Sequence, residues 1–174
     1  MSRIDYHRGR ANSDFETVQL SNAMRGWKSN YGDFIDYYRL DPDSTQYDDV
    51  YEEVLAGGRK YLPVIRLGCL HVTLIQGAND WDDKGFYYND NVRAIVPYDV
   101  YTGSGMALAD MDTGKYELDR IVYKQKVFKV VQIDVRGQIV ERPNVVAIDA
   151  TQLKPDELHE DPLMAVYGEG NLAP

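Results

Sequence analysis

The chain has 174 residues, of which 44% are apolar, and a formal net charge of −9. This length and apolar content suit one folded domain with a substantial core and exclude a largely disordered protein. Residues 1–30 carry five Lys or Arg against three acids, whereas the remainder carries 14 against 25. An acidic body argues against nucleic-acid binding through phosphate contacts. The charged first ten residues do not resemble a signal peptide, and no apolar run reaches membrane-spanning length.

The N-terminal segment predicts a polar arm followed by a helix. Residues 1–12 are polar, and Ser13 with Glu16 has the spacing of a capping box. Apolar residues then recur at i, i+3, i+4 and i+7, which predicts a helix near 14–28; they are Leu20, Ala23, Met24 and Trp27. This apolar stripe needs a cover, either the β domain or a neighbouring subunit.

Short apolar segments alternate with polar connections from residue 31 onward. Strands are predicted at 33–40 and 91–97, and Pro63 with Gly68 favours bent strands over a helix in 61–76. Long loops are predicted at 41–60, 77–90 and 98–118. Loops of this length are usually functional or interfacial. Cys69 lies inside an apolar run, so we expect it to be buried as a small hydrophobic residue.

Residues 119–153 predict an antiparallel meander of three strands, with turns at 124–126 and 136–137. Pro143 cannot donate to a sheet ladder, so the third strand should be at an edge or bulged there. The predicted fold is mainly β, a small antiparallel β-barrel of about six strands with an N-terminal helix, long loops and extended termini. The predicted divisions are an arm and helix over 1–30, the barrel over 31–153 and an acidic C-terminal tail over 154–174.

The sequence has no recognisable catalytic or cofactor motif. The three histidines are dispersed, with no metal-ligand spacing. The acidic stretch at 80–85 falls short of a calcium loop, because Lys84 and Asn91 stand at its fifth and twelfth positions. Gly103 and Gly105 lack the third glycine of a dinucleotide fingerprint. We therefore expect no metal, no cofactor and no enzymatic activity.

Several stretches together resemble the head-to-tail connector proteins of long-tailed bacteriophages, in particular the stopper or head-closure class from phages of actinobacteria. The similarity covers roughly residues 15–160. It departs at Gln125-Lys126, where such barrels often carry a glycine, and 98–118 has no counterpart. The stretches that carry it are 37–41 (YYRLD), 47–51 (YDDVY), 119–123 (DRIVY), 127–130 (VFKV), Gly137, 145–149 (VVAID) and 156–158 (DEL).

This resemblance implies a structural virion protein at the neck, assembled in the host cytoplasm. Its partners would be copies of itself in a ring, portal or adaptor proteins on the head side, and a tail terminator or tail tube on the tail side. Packaged double-stranded DNA would pass through without sequence-specific binding, because an acidic lining repels phosphates. No membrane partner is implied.

Two sets of candidate functional residues follow from this resemblance. The acidic loop at 77–90 could point into the ring's channel and help close it, or it could be a plain solvated hairpin loop; its candidates are Asp80, Trp81, Asp82 and Asp83. The helix and the 41–60 connection could contact other subunits or an adaptor; their candidates are Trp27, Tyr37, Tyr47 and Tyr51.

Other functions stay open at the level of sequence. The nearest is a tail terminator or another connector protein. More distant are a small barrel that binds nucleic acid, which needs basic residues beside its aromatic residues, and a hydrolase with an unrecognised site. Of the 20 aromatic residues, 14 are tyrosines, which suits either a contact surface or the loops of an ordinary β protein.

Overall fold

The structure is a computed structural model that describes residues 13–47, 54, 57–77, 79–82, 85–107, 109, 111, 115–116, 118–139, 142–154, 157, 159 and 161–167. It is mainly β, as predicted. The elements are α1 Ser13–Tyr31, β1 Asp33–Tyr38, β2 Ile65–Cys69, β3 His71–Ile75, β4 Asn79–Asp82, β5 Gly85–Tyr88, β6 Asn91–Pro97, α2 Tyr98–Gly103, β7 Arg120–Tyr123, β8 Lys126–Ile139 and β9 Arg142–Gln152.

Seven strands form one antiparallel sheet in the order β2-β1-β7-β8-β9-β6-β3. The predicted small barrel is not fully closed: β2 and β3 are the two edges of the sheet and do not pair. A single residue, Leu70, joins these edges, and its backbone N–H donates to the Ile95 carbonyl at 2.7 Å. The sheet therefore curls until its first and last strands meet at a covalent corner, so that 65–75 forms two strands, as predicted for 61–76, and not a helix.

One hydrophobic core lies inside this curl. It receives buried side chains from every strand of the sheet, and α2 adds Tyr101. A second, smaller core lies between β7, β8 and the C-terminal segment, where Leu163 packs with Val122 and Val127. The residues of the main core include Ile35, Leu67, Val72, Val92, Ile121, Phe128 and Ile148.

The predicted helix is confirmed and extends to Tyr31. It stops at Gly32, whose N–H donates to the Lys28 carbonyl at 3.1 Å. Of its predicted apolar stripe, only Met24 is buried. The helix is fixed instead by polar contacts: Arg25 forms an ion pair with Asp99 of α2 at 2.9 Å, and Trp27 Nε1 donates to the Leu70 carbonyl at 3.1 Å.

The meander is confirmed with one error in a turn. Lys124 and Gln125 form the first turn, as predicted, and both have positive φ, which is the conformation of a two-residue hairpin turn. The turn predicted at 136–137 is wrong, because β8 continues through Gly137 to Ile139. Gly137 pairs with Val145 beside a bulge that shifts the register. A glycine inside a strand often marks such a bulge.

Pro143 lies beside a bulge, at a point where β9 has a neighbouring strand on one side only. Its missing N–H predicted such a position. It pairs with Gln138 of β8, and the register shifts between Gly137 and Gln138. The pairing of β9 with β6 ends at Val145, so no second strand lies beside Pro143 in that sheet. A residue without an N–H is therefore tolerated there.

Candidate functional site

The first cluster of functional interest is a buried carboxylate between β1 and β7. Asp119 accepts a hydrogen bond from the Tyr37 hydroxyl at 2.7 Å and another from the Leu40 backbone N–H at 2.8 Å. Burial raises the pKa of Asp119, although both hydrogen bonds act in the opposite direction. The pKa of Tyr37 is raised well above its usual value by burial and then by the neighbouring Asp119. The pair joins two strands that are distant in sequence.

The space beside this carboxylate is too small for a substrate. The cavity that Asp119 lines with Tyr37, Arg39 and Tyr101 has a volume of about 10 Å³. That is at most the room of one water molecule. A carboxylate with a raised pKa can serve as an acid or a base, but here its two oxygens are already bonded to the protein. The arrangement is that of a structural anchor.

A second buried carboxylate attaches the C-terminal segment to the sheet. Asp161 Oδ2 receives hydrogen bonds from Arg120 Nε at 3.0 Å and from the Tyr61 hydroxyl at 2.8 Å. Its other oxygen accepts the N–H of Leu163, which packs in the second core. Both partners of the ion pair are almost completely buried. Because a buried charge is costly unless paired, this contact fixes where 161–167 can lie.

These two anchors bring together the stretches that carry the family resemblance. β1 contains the tyrosines of YYRLD, β7 contains most of DRIVY, and the two strands pair with Tyr38 opposite Arg120. The VFKV and VVAID stretches follow on β8 and β9 of the same sheet. Residues 37–41 and 119–123 are therefore one structural unit, held by the Tyr37–Asp119 hydrogen bond.

The predicted contact residues differ in how far their side chains are exposed. Trp27 is 56% exposed and Tyr47 is 39% exposed, so both side chains can meet another molecule. Tyr37 is only 1% exposed, which corrects its predicted role at a surface: its ring lies in the main core and its hydroxyl is bonded to Asp119. Tyr51 lies outside the described residues.

The predicted channel loop contains a two-stranded ribbon. Asp80, Trp81 and Asp82 lie on β4, which pairs with β5 and is not part of the main sheet; Asp83 lies outside the described residues. At the base of the ribbon, Gly77 and Asn89 approach so closely that a side chain on Gly77 would collide with the Asn89 backbone. Lys126 binds Asp90 at 3.1 Å and so ties the same point to β8.

A patch of exposed aromatic and basic side chains lies where α1 meets the sheet. Tyr31 is 74% exposed, and its ring centroid lies 5.0 Å from that of Trp27. Phe34 is 48% exposed and carries the Arg66 guanidinium 4.9 Å above its ring. The two halves are contiguous, because the Lys28 side chain crosses Gly68, the cross-strand partner of Phe34. We name Trp27, Lys28, Tyr31, Phe34 and Arg66 the aromatic–basic patch.

Sequence reasoning missed most of these residues, for identifiable reasons. Tyr31 lies four residues after Trp27 on the same helical face, and this spacing could have extended the predicted stripe. Phe34 and Ile35 are adjacent apolar residues, so alternation alone does not say which faces solvent. Nothing in the sequence pairs Asp119 with Tyr37 or Asp161 with Arg120, since the partners lie 82 and 41 residues apart.

Cys69 is fully buried, as predicted. Burial raises the pKa of its thiol to about 12, so it stays protonated and unreactive near neutral pH. Among the described residues, no group of three or more His, Cys, Asp or Glu side chains could hold a metal ion. In the same part of the chain, no helix combines the length and apolar character needed to span a membrane.

No protein-family model matches this sequence, and a comparison with the curated proteins finds no match. Among solved structures, the chain is similar to a chain of the "Virion of native gene transfer agent (GTA) particle". The TM-score is 0.41 at 9% identity, over 70% of this chain and 94% of the other. A TM-score of this size does not establish a shared fold.

Proposed function

We propose that this chain is a structural subunit of a bacteriophage neck, a head-to-tail connector of the stopper class. Copies of the chain form a ring that closes the DNA-filled head and docks the tail. Its neighbours are portal or adaptor proteins above and a tail terminator or tail tube below. The role is non-catalytic and needs no cofactor, and the chain resides in the virion.

The observation that carries this proposal is the exposed apolar surface around α1. A helix of a monomeric domain normally buries its apolar stripe, whereas α1 buries Met24 and leaves Leu20, Trp27 and Tyr31 of the same face exposed. Phe34 of β1 and Val64 just before β2 are also about half exposed. Trp27, Tyr31 and Phe34 form one exposed cluster, and an exposed apolar cluster is typical of a surface that another protein covers.

The structural unit formed by 37–41 and 119–123 supports the same class of protein. These stretches carry the resemblance to stoppers, and each has a defined role in the fold, because β1 and β7 pair, Tyr37 binds Asp119 and Arg120 binds Asp161. A curled sheet held by buried anchors is a rigid body. Rigidity suits a subunit that must resist the pressure of packaged DNA.

The charge of the chain suits a channel through which DNA passes. The net charge of −9 repels phosphates, so the wall of the channel does not retain the moving duplex. The ribbon β4–β5 is a separate element from the sheet, and the sequence has acids at positions 80, 82 and 83. Within this proposal, the ribbon is the part of each subunit that reaches into the channel.

The proposal is tested by removing the chain from cells that produce the particles. We expect filled heads that lose their DNA and tails that remain unattached, with both defects reversed when the intact chain is supplied. Heads that keep their DNA and join normal tails would contradict the proposal. Closed heads with abnormal tails would replace it with the tail-terminator alternative.

The role of the ribbon has its own test, with a matched control. Replacing 79–88 by a two-residue turn leaves Gly77 and Asp90 at the base of the ribbon in place. We expect that rings form but that DNA leaks from filled heads. The control keeps the ribbon at full length and changes only its acids, with Asp80→Asn, Asp82→Asn and Asp83→Asn. It separates the effect of the ribbon's length from that of its charge. Heads that hold their DNA after the shortening would refute the channel role.

A further inference from the structure

The aromatic–basic patch differs in charge from the rest of the molecule. Lys28 and Arg66 each contribute one positive charge, and Asp36, the cross-strand partner of Arg66, contributes one negative charge. On this face of β1 the patch therefore keeps a net charge of +1 on a chain whose total is −9. Asp33, the acid at the start of β1, lies on the opposite face, where it accepts a hydrogen bond from the Tyr123 hydroxyl at 2.6 Å. The exposed rings of the patch supply apolar contact area at a small cost in side-chain entropy. Such a surface fits an acidic segment that also carries aromatic residues.

The same chain contains a segment of that composition. Residues 41–53 (DPDSTQYDDVYEE) include six acids, two tyrosines and no basic residue. In its described part, Asp43 and Tyr47 are exposed. Hydrogen bonds, first of all from the Ser44 side chain, lower the pKa of Asp41, so this carboxylate stays charged over a wide pH range.

The two surfaces lie at opposite ends of one strand. The patch surrounds the start of β1 at Asp33, whereas the acidic segment follows its end at Tyr38. Six residues of strand separate the two ends by about 17 Å. The described part of the acidic segment, residues 41–47, therefore begins at the end of β1 away from the patch. Two different surfaces of this kind generate a head-to-tail contact between copies, and such contacts form a ring when the rotation from copy to copy closes.

We propose that the aromatic–basic patch binds the acidic, tyrosine-bearing segment 41–53 of a second copy of this chain. Tyr47 packs against the rings of Trp27 and Tyr31, and carboxylates of the segment pair with Lys28 and Arg66. This inference deepens the proposed ring and rests on it only for its biological setting. The contact between copies is a property of the chain itself.

Photo-crosslinking of the purified full-length chain tests the contact. One isotope-labelled copy carries benzoylphenylalanine in place of Tyr31, and it is mixed with an unlabelled wild-type copy. Mass spectrometry then separates crosslinks between copies from those within one. We expect crosslinks from position 31 into 41–53 of the other copy. The matched control carries the same group at Val131, which is also exposed but lies on β8, and should not reach 41–53.

A charge exchange gives the same contact a second readout. Arg66→Glu in the photoreactive copy should lower the yield into 41–53 several-fold, and Asp43→Lys in its partner should restore it. Both side chains are exposed, so neither variant should alter the fold. Higher salt should lower the wild-type yield, because an exposed charge contact is screened.

Several outcomes overturn the inference. These are no crosslink between copies, a crosslink that maps to another part of the chain, or an unchanged yield after the Arg66→Glu substitution. Single-stranded DNA added to the mixture tests the other ligand that aromatic and basic side chains can bind. Transfer of the crosslink from 41–53 to this DNA would assign the patch to nucleic acid. The result of removing the chain from producing cells does not depend on a contact at Tyr31, so that experiment tests the proposed function separately from this contact.

Discussion

Asp161 anchors the C-terminal segment through a single buried charge. Its carboxylate serves Arg120, Tyr61 and the backbone of Leu163 at once. The Arg120 guanidinium also donates from Nη1 to the Leu118 carbonyl at 3.0 Å. This second hydrogen bond holds the guanidinium in place independently of Asp161. If the carboxylate is lost, the arginine remains buried without a counter-charge.

Asp161→Asn should therefore lower the free energy of unfolding by about 3 kcal/mol or more. Urea unfolding measures the change, and Asp43→Asn, at an exposed acid, is the control and should have little effect. The double variant Arg120→Met with Asp161→Leu should recover part of the loss, because it removes the buried Arg120 charge together with its counter-charge. The recovery should be incomplete, since Arg59, whose guanidinium lies 3.8 Å from Asp161, also loses its partner. Equal stability of the Asp161→Asn and Asp43→Asn variants would refute the anchor.

Asp119 makes a pH-dependent contribution with a defined sign. Because burial raises its pKa in the folded chain, the folded protein holds a proton there more readily than the unfolded chain. Its stabilising contribution is present below the unfolded value of about 3.9 and is lost as pH rises through the folded pKa. In the Asp119→Asn variant, the amide oxygen can still accept the hydrogen bond from the Leu40 backbone N–H, and the side chain does not titrate.

The stability of the wild type relative to Asp119→Asn should therefore fall as pH rises from about 3 into the neutral range. Unfolding in urea at a series of pH values measures this difference, and other titrating groups cancel between the two proteins. Curves that stay parallel over the whole range would show that the pKa of Asp119 is not raised.

At the scale of elements, α1 ends where two backbones nearly touch. A Cβ added to Gly32 would lie 2.5 Å from the Cys69 carbonyl oxygen and 2.6 Å from that of Lys28. Backbone atoms cannot move aside as a flexible side chain can. The absence of a side chain at Gly32 is thus what lets the helix pass directly into β1 against β2.

Gly32→Ala should lower the free energy of unfolding by about 1–3 kcal/mol, which is the usual cost of overpacking. Gly26 in the same helix is the matched control, because an added Cβ there meets nothing within 4 Å. Gly26→Ala should raise stability by about 0.5–1 kcal/mol through helix propensity. Thermal and urea unfolding of both variants measure the contrast, and changes of the same sign would contradict it.

The turn between β7 and β8 stores a small strain. Gln125 has φ of 63° and Lys124 has φ of 49°, a region that non-glycine residues adopt at a cost. This is the turn where the resembling barrels often carry a glycine. Gln125→Gly should raise the free energy of unfolding by about 0.5–1 kcal/mol, whereas the β-branched Gln125→Val should lower it. A decrease in both variants, measured by urea unfolding, would show that the turn is unstrained.

The sequence predicts the elements better than their connections, for physical reasons. Dense β-branched residues in 91–97 and 121–148 predicted strands that the structure confirms. The turn predicted at 136–137 is wrong because glycine is common both in turns and in the bulges of strands, and Gly137 lies beside a bulge. The closure of the barrel could not be derived, since it depends on whether β2 and β3 pair across the Leu70 corner. The buried anchors of Asp119 and Asp161 depend on the tertiary fold, so no local pattern reveals them.

At the scale of the whole molecule, the buried anchors and the exposed candidate contact surfaces lie in different regions. Buried anchors fix β1, β7 and the C-terminal segment to the sheet and its two cores, while Trp27 and Tyr31 of α1 and, after β1, Asp43 and Tyr47 are exposed. A ring subunit needs both a stiff body and two complementary surfaces, because each copy contacts two neighbours.

Cryo-electron microscopy of intact particles that contain this chain tests the central claim most directly. We predict a ring of copies at the neck, between the portal or adaptor and the tail tube, with the β4–β5 ribbon directed at the channel. In that ring, the aromatic–basic patch of each copy should face residues 41–53 of the next. Particles in which the chain has no density, or has it only outside the neck, would contradict the account.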